Sequence, residues 1–187
     1  MRASAAMLAV VLALTLGVSR AAVDNLNEYN VRESIFDEIN AERAGWKELK
    51  PALPAYPKAD NLVEVQISAL SPHRYYVDAS SVELGRDKVM RYTTVVKTSG
   101  GATNVTYEGI RCETRERKIY ALGHADGTWA EPRDPAWRRI ERHHPAVYMT
   151  LWRDYFCASR TMPTKPQVAV NAIKRGTPLP GGPTAYD

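Results

Sequence analysis

Val89-Met90-Arg91-Tyr92-Thr93-Thr94-Val95-Val96-Lys97, a Ser99-Gly100-Gly101 turn, and Asn104-Val105-Thr106-Tyr107-Glu108-Gly109-Ile110-Arg111-Cys112 form the stretch whose reading decides the fold. Both halves are rich in β-branched and aromatic residues, and the glycines between them suit a tight connection, so the stretch reads as a β-hairpin. Alternation puts Met90, Tyr92, Thr94 and Val96 on one face of the first strand, opposite Val89, Arg91, Thr93, Val95 and Lys97. In the second strand Asn104, Thr106, Glu108, Ile110 and Cys112 oppose Val105, Tyr107, Gly109 and Arg111. Gly109 in mid-strand marks a bulge or a close backbone neighbour.

Reading outward toward the N-terminus, Leu62–Leu70 alternates as a half-buried strand, with Val63, Val65, Ile67 and Ala69 on one side. Ser71-Pro72 turns the chain, and Arg74–Asp78 begins a second strand. Asp78-Ala79-Ser80-Ser81 is turn chemistry, because Asp and Ser side chains bond nearby backbone groups. Val82–Leu84 continues briefly, and Gly85-Arg86-Asp87-Lys88 turns into the hairpin. Toward the C-terminus, Arg117–His124 is a further strand, and Asp126-Gly127 before Thr128-Trp129 is a short-hairpin signal. The prediction is an α+β fold, a mostly antiparallel sheet over about residues 62–130 with a C-terminal helix packed on one face.

That helix is Pro145–Cys157, where Tyr148, Leu151, Trp152, Tyr155 and Phe156 follow the helical period, with Thr150, Arg153 and Asp154 on the polar side. An unbroken helix would leave Cys157 on the polar side, so the last turn is expected to loosen. Gln167–Arg175 reads as a second, weaker helix, and residues 176–187 as a flexible Pro/Gly tail without a core-forming pattern.

At the other end, Arg2, the apolar run Met7–Gly17 and the small residues around Ser19-Arg20-Ala21 read as a signal peptide over residues 1–21, with cleavage after Ala22 as the alternative. The run is too short for a membrane span, and no later stretch is apolar enough for one. Residues 22–45 form a lead-in, in which Ile35, Phe36 and Ile39 fit a short amphipathic helix stopped at Gly45. In Trp46–Asn61, Pro51, Pro54 and Pro57 recur every third residue, which dictates extended, polyproline-II-like backbone. Trp46, Leu53 and Tyr56 are the expected apolar anchors that pin it to the domain, which runs over residues 46–175.

A hydrophobic fraction of 44% in 187 residues supports one sizeable core. Losing residues 1–21 removes Arg2 and Arg20 and no acidic residue, lowering the formal charge from +4 to +2, too weak a balance for a nucleic-acid partner. The two cysteines, Cys112 and Cys157, form an even pair in an exported chain and therefore read as a disulfide, worth about 4 kcal/mol for so long a loop. With no CxxC or neighbouring His they make a poor metal site.

Reaction motifs are missing: there is no GxSxG, SxxK, HExxH, GxGxxG or P-loop. No catalytic residue, metal or cofactor is assigned. Adjacent His143 and His144 point about 100° apart on a helix and rarely share an ion. The basic run from Arg138-Arg139 to His143-His144 reads as a solvated face, or else as a contact for an acidic envelope polymer or a lipid headgroup. The polar set that stands out is Arg91, Glu108 and Arg111. Glu108 falls on the face where the helix packs, so it needs a partner, and an arginine is the obvious one.

Trp46-x-Glu48, Leu53-Pro54-x-Tyr56-Pro57, Asn61-Leu62, Asp78-x-x-Ser81, Arg91-Tyr92-Thr93, Asn104-Val105-x-Tyr107-Glu108-Gly109-Ile110-Arg111-Cys112 and Tyr120-Ala121-x-Gly123 resemble the cryptic neisserial protein 1-like family of exported Gram-negative proteins. The resemblance covers about Trp46 to Cys157. Asp87-Lys88-Val89 departs from the family's Asp-Gly-Val. The family has no established activity, so the resemblance implies periplasmic location and domain boundaries and carries over no catalytic residue. The leading expectation is a non-catalytic structural or binding module of the envelope, partnered by an envelope protein or acidic polymer. The alternative is a small periplasmic hydrolase or lyase using Glu108 with Arg91 or Arg111.

Overall fold

The computed structural model describes residues 45–67, 71–141, 145–158 and 162–181. The leader, the Ile35–Ile39 helix, the end of the first predicted strand, His143-His144 and the last six residues lie outside this set. The chain divides between Lys47 and Glu48 into two units. Only Gly45–Lys47 of the first are described, and the fold is that of the second.

Among the described residues seven strands form one antiparallel sheet: β1 (Leu62–Glu64), β2 (Arg74–Leu84), β3 (Val89–Lys97), β4 (Thr103–Arg111), β5 (Glu116–Gly123), β6 (Trp129–Ala130) and β7 (Arg138–Arg139). The order is sequential from β1 to β6, and β7 pairs with the start of β5. In the β3–β4 hairpin Arg91 lies opposite Gly109 and Tyr92 opposite Glu108. Gly101 closes its turn at φ 85°, and Gly127 does the same for the β5–β6 hairpin.

One local reading changes. Asp78–Ser81 is a bulge inside one long strand, not a turn between two. β2 runs unbroken from Arg74 to Leu84, and its pairing to β3 shifts between Asp78 and Glu83. The Asp78 carboxylate does accept from the Ser80 amide and hydroxyl, at 2.9 and 2.6 Å. The Ser81 hydroxyl, however, accepts from the Thr93 amide on β3 (2.8 Å) and so keeps the bulged strand attached. Local side-chain bonding that ends a strand elsewhere is here absorbed by a neighbouring strand. The Gly85–Lys88 turn was expected, although Lys88 is not a glycine. The tight turn forms nonetheless, with Lys88 at φ 58° and its amide bonded to the Gly85 carbonyl.

Gly109 has the close neighbours expected of it, but they are side chains rather than backbone, and the bulge lies beside it rather than at it. A side chain there would lie 2.8 Å from the Tyr120 ring, and the β4–β5 register shifts one residue away, between Tyr107 and Glu108. The bulge falls on β5 and leaves Tyr120 without an opposite residue.

The helices cover the Tyr92/Glu108 face. α1 (Ala146–Thr150) continues into a π-helical run, Leu151–Phe156. The expected loosening is thus wider than one turn. The Cys157 amide bonds the Trp152 carbonyl five residues back, so Cys157 sits above the core-facing Trp152 rather than the polar Arg153 and Asp154. That rotation brings it to Cys112, with Cα atoms 5.2 Å apart in a disulfide. α2 (Pro166–Arg175) packs against β1, β2 and the π run. It ends at Gly176, at φ 62°, with the Thr177 amide on the Ala172 carbonyl. The tail is less idle than its composition suggests. Leu179 packs on the core, and its amide caps the Asp154 carbonyl at 2.8 Å. The core joins Val77, Met90, Tyr92 and Ile110 of the sheet to Val147, Leu151, Trp152, Tyr155, Phe156, Ala169 and Ile173 of the helices.

The opposite face, bearing Arg91, Tyr107 and Gly109, is crossed by the proline segment Glu48–Lys58, here called the strap. Tyr56 anchors it as expected, its ring 5.4 Å from Trp129 and its hydroxyl donating to the His124 carbonyl. Leu53 does not, being 54% exposed. Polyproline II has three residues per turn, so the face that reaches the sheet is Glu48, Pro51, Pro54 and Pro57, all half-buried. Leu53 falls between those positions.

Candidate functional site

Glu108 is fully buried on the helix-covered face. Its carboxylate accepts from the Thr106 hydroxyl (2.5 Å) and the Tyr92 hydroxyl (3.1 Å), and lies 3.1 Å from an Arg117 guanidinium nitrogen. The same guanidinium stacks on Tyr148, 3.8 Å from the ring centroid, while Tyr92 packs its ring on Phe156. Burial works against the charge on Arg117, but Glu108 outweighs it and raises the guanidinium pKa further. Burial and the Glu108 charge together push the Tyr92 and Tyr148 phenols above their ordinary range.

The arginine that Glu108 requires is therefore Arg117, and neither Arg91 nor Arg111. The reason is parity. Arg91 sits opposite Gly109 in the ladder, and Arg111 is an odd number of residues from Glu108, so both project from the other face. Arg111 pairs with Glu116 at 3.4 Å beside the Trp137 ring. Arg117 reaches Glu108 because Ile110 and Arg117 are ladder partners, which places Arg117 on the helix side. In the sequence, Ile119-Tyr120-Ala121-Leu122 has no alternation, so no face could be assigned to Arg117, and the bulge at Tyr120 was invisible.

Arg91 has its own acid. Its guanidinium donates twice to Asp87, at 3.0 and 2.5 Å, with both side chains almost wholly buried. The pair also holds the strap. Asp87 accepts from the Leu49 amide (2.9 Å), and Arg91 donates to the Leu49 carbonyl (2.8 Å). Gly85 makes room, since a side chain there would lie 2.2 Å from both charged groups. Burial pushes the Asp87 carboxyl up, but Arg91 and the Leu49 amide hold it below its ordinary value. Glu48 behaves likewise: burial pushes its carboxyl up, and Lys118 at 2.8 Å, together with Tyr120 and Trp137, holds it low.

A cavity of about 290 Å³ lies at the parting of β1 and β2, lined by Glu64, Val65, Gln66, Ile67, Ser71, His73, Arg74 and Tyr75, a set that includes none of Arg91, Glu108 and Arg111. Among the described residues no three His, Cys, Asp or Glu side chains converge as a metal cage, and no helix is long and apolar enough to cross a membrane.

No curated protein and no solved structure matches the chain. One family model does, over residues 41–174, which spans the strap, the sheet and both helices. The chain belongs to the CNP1-like family.

Proposed function

We propose that this protein is an exported, non-catalytic module of the bacterial envelope, acting structurally or by binding. One observation carries the reading. Its most reactive-looking carboxylate, Glu108, has no exposed surface, and its oxygens are engaged by Tyr92, Thr106 and Arg117. A working acid or base must come within hydrogen-bond reach of a substrate proton. Glu108 meets only groups of its own core. The signal-like Met1–Ala21 segment and the buried Cys112–Cys157 disulfide support export into an oxidising compartment. The partner in this reading is an envelope protein or an acidic envelope polymer.

The test is Glu108→Gln introduced at the native locus. In a structural role the variant melts lower, and its cellular phenotype follows abundance alone. A variant that keeps its melting temperature and loses function would make Glu108 a working carboxylate. Intact mass of the periplasmic protein checks the export half of the reading; two free thiols or a retained leader would overturn it. Crosslinking in intact cells then identifies the partner.

A further inference from the structure

The strap is held as a bound peptide would be. Its sheet-facing residues recur at the polyproline-II period, and the sheet grips mainly its backbone. Asp87 accepts from the Leu49 amide, Arg91 donates to the Leu49 carbonyl, and the Trp129 indole donates to the Pro54 carbonyl at 3.0 Å. Side-chain selection is left to the Glu48–Lys118 ion pair and the tilted contact between the Tyr56 and Trp129 rings. Aromatic-lined grooves take proline-rich ligands in this manner, exploiting a segment that loses little entropy on binding. Here ligand and groove share one chain.

Such a groove does not stand empty. Asp87 and Arg91 are 1% and 3% exposed, and each would lose a hydrogen bond if Leu49 left, at the cost that attends unsatisfied buried charge. Yet the strap is joined to β1 only by the short 3-10 turn Ala59–Asn61, none of whose residues is buried. We propose that the same groove accepts the strap of a second copy, so that two chains exchange their Glu48–Lys58 segments in a reciprocal dimer. The sequence whose fit the structure displays is the chain's own. Every contact made within one chain is available unchanged between two, which is the condition for swapping. A foreign segment would have to reproduce an acid three residues before a proline, a second proline three residues on, and an aromatic ring two residues beyond that. Because exchange replaces like with like, the dimer is governed by concentration rather than by new contacts.

Charge reversal tests this in the full-length mature protein. Glu48→Lys opposes Lys118 with a like charge, and Lys118→Glu does the same to Glu48. Each variant alone lacks the ion pair whether its strap is seated in its own groove or in that of an identical copy, and melts below wild type. When the two are unfolded together with the disulfide intact and refolded as a mixture, an exchanged heterodimer restores both pairs at once. The reversed charge at position 48 of one copy meets the reversed charge at position 118 of the other, and the native Glu48 meets the native Lys118. Native mass spectrometry with one copy isotope-labelled is expected to show the heterodimer exceeding either homodimer about tenfold. The single-chain double variant carrying both reversals is expected to recover the wild-type melting temperature, showing that the pair seats the strap. A mixture that stays monomeric with the two single-variant melting temperatures overturns exchange. A double variant that fails to recover overturns the role given to the ion pair.

Discussion

The Glu108 carboxylate and the Arg117 guanidinium meet at 3.1 Å beneath the Tyr148 ring, the carboxylate with no exposed surface and the arginine side chain 19% exposed. The asymmetry decides what each partner's loss does. Removing Arg117 strands a buried anion, whereas removing the Glu108 charge leaves a cation that reaches water at its edge. Arg117→Met is therefore the worse change, costing about 3–5 kcal/mol, with Glu108→Gln at or below the low end of that range. A double-mutant cycle by urea denaturation should give strong coupling for Glu108 with Arg117 and none for Glu108 with Arg111. Equal coupling to both arginines would contradict the face assignment.

Trp152→Ala tests the packing of the π run. The indole lies in the core, with its N–H 3.4 Å from the Cys112 carbonyl. Its removal should cost about 3–5 kcal/mol, the usual cost of emptying a large aromatic site. Because both sulfurs are buried, reduction by dithiothreitol should track unfolding, and should speed up in the variant by as much as its stability falls. An unchanged denaturation midpoint would show that Trp152 is not core.

Lys88→Gly should stabilise. A left-handed backbone costs a non-glycine residue about 1–2 kcal/mol, and glycine returns roughly 0.5–1 kcal/mol of that as unfolded-state entropy. The net gain is about 0.5 kcal/mol, read as a small rise in denaturation midpoint. The Lys88 side chain is exposed, so little packing is lost. A drop in midpoint would mean that the lysine side chain contributes more than its backbone costs.

Acid should loosen the strap. The Asp87 and Glu48 carboxyls are both held below their ordinary values. Stability from a depressed carboxyl is complete above its unfolded-state pKa, about 4, and is lost as pH falls through the lower folded value. Thermal stability should accordingly be flat at neutral pH and decline below about pH 4, and Asp87→Asn should flatten that decline while lowering stability at about pH 7. An unaltered acid limb in the variant would remove Asp87 from the linkage.

What the sequence made legible was governed by short-range rules. The Val89–Cys112 hairpin, the Asp126-Gly127 turn and the apolar stripe from Tyr148 to Phe156 are set by periodicity and turn chemistry, and all three appear in the structure. Apart from Leu53, the failures were long-range. Leu53 looked like an anchor because it is apolar, but the three-residue period of the strap assigned contact to the prolines. Asp78–Ser81 has the composition of a turn, and only the neighbouring Thr93 amide makes it a bulge. Glu108 was recognisable as a residue in need of an arginine. Which arginine depended on a one-residue shift at Tyr120, and no local pattern encodes a register shift.

The outermost strands bear on how the molecule meets its own kind. Among the described residues β1 has three residues, while β6 and β7 have two each and share the outer side of β5, whose ladder with β4 carries the Tyr120 bulge. β7 is Arg138-Arg139, and β1 ends on Glu64. Short, charged and kinked borders offer a poor template for another chain to extend the ladder. Copies crowded together are thereby steered away from edge-to-edge stacking into fibrils, a protection written into strand length and charge rather than into overall stability.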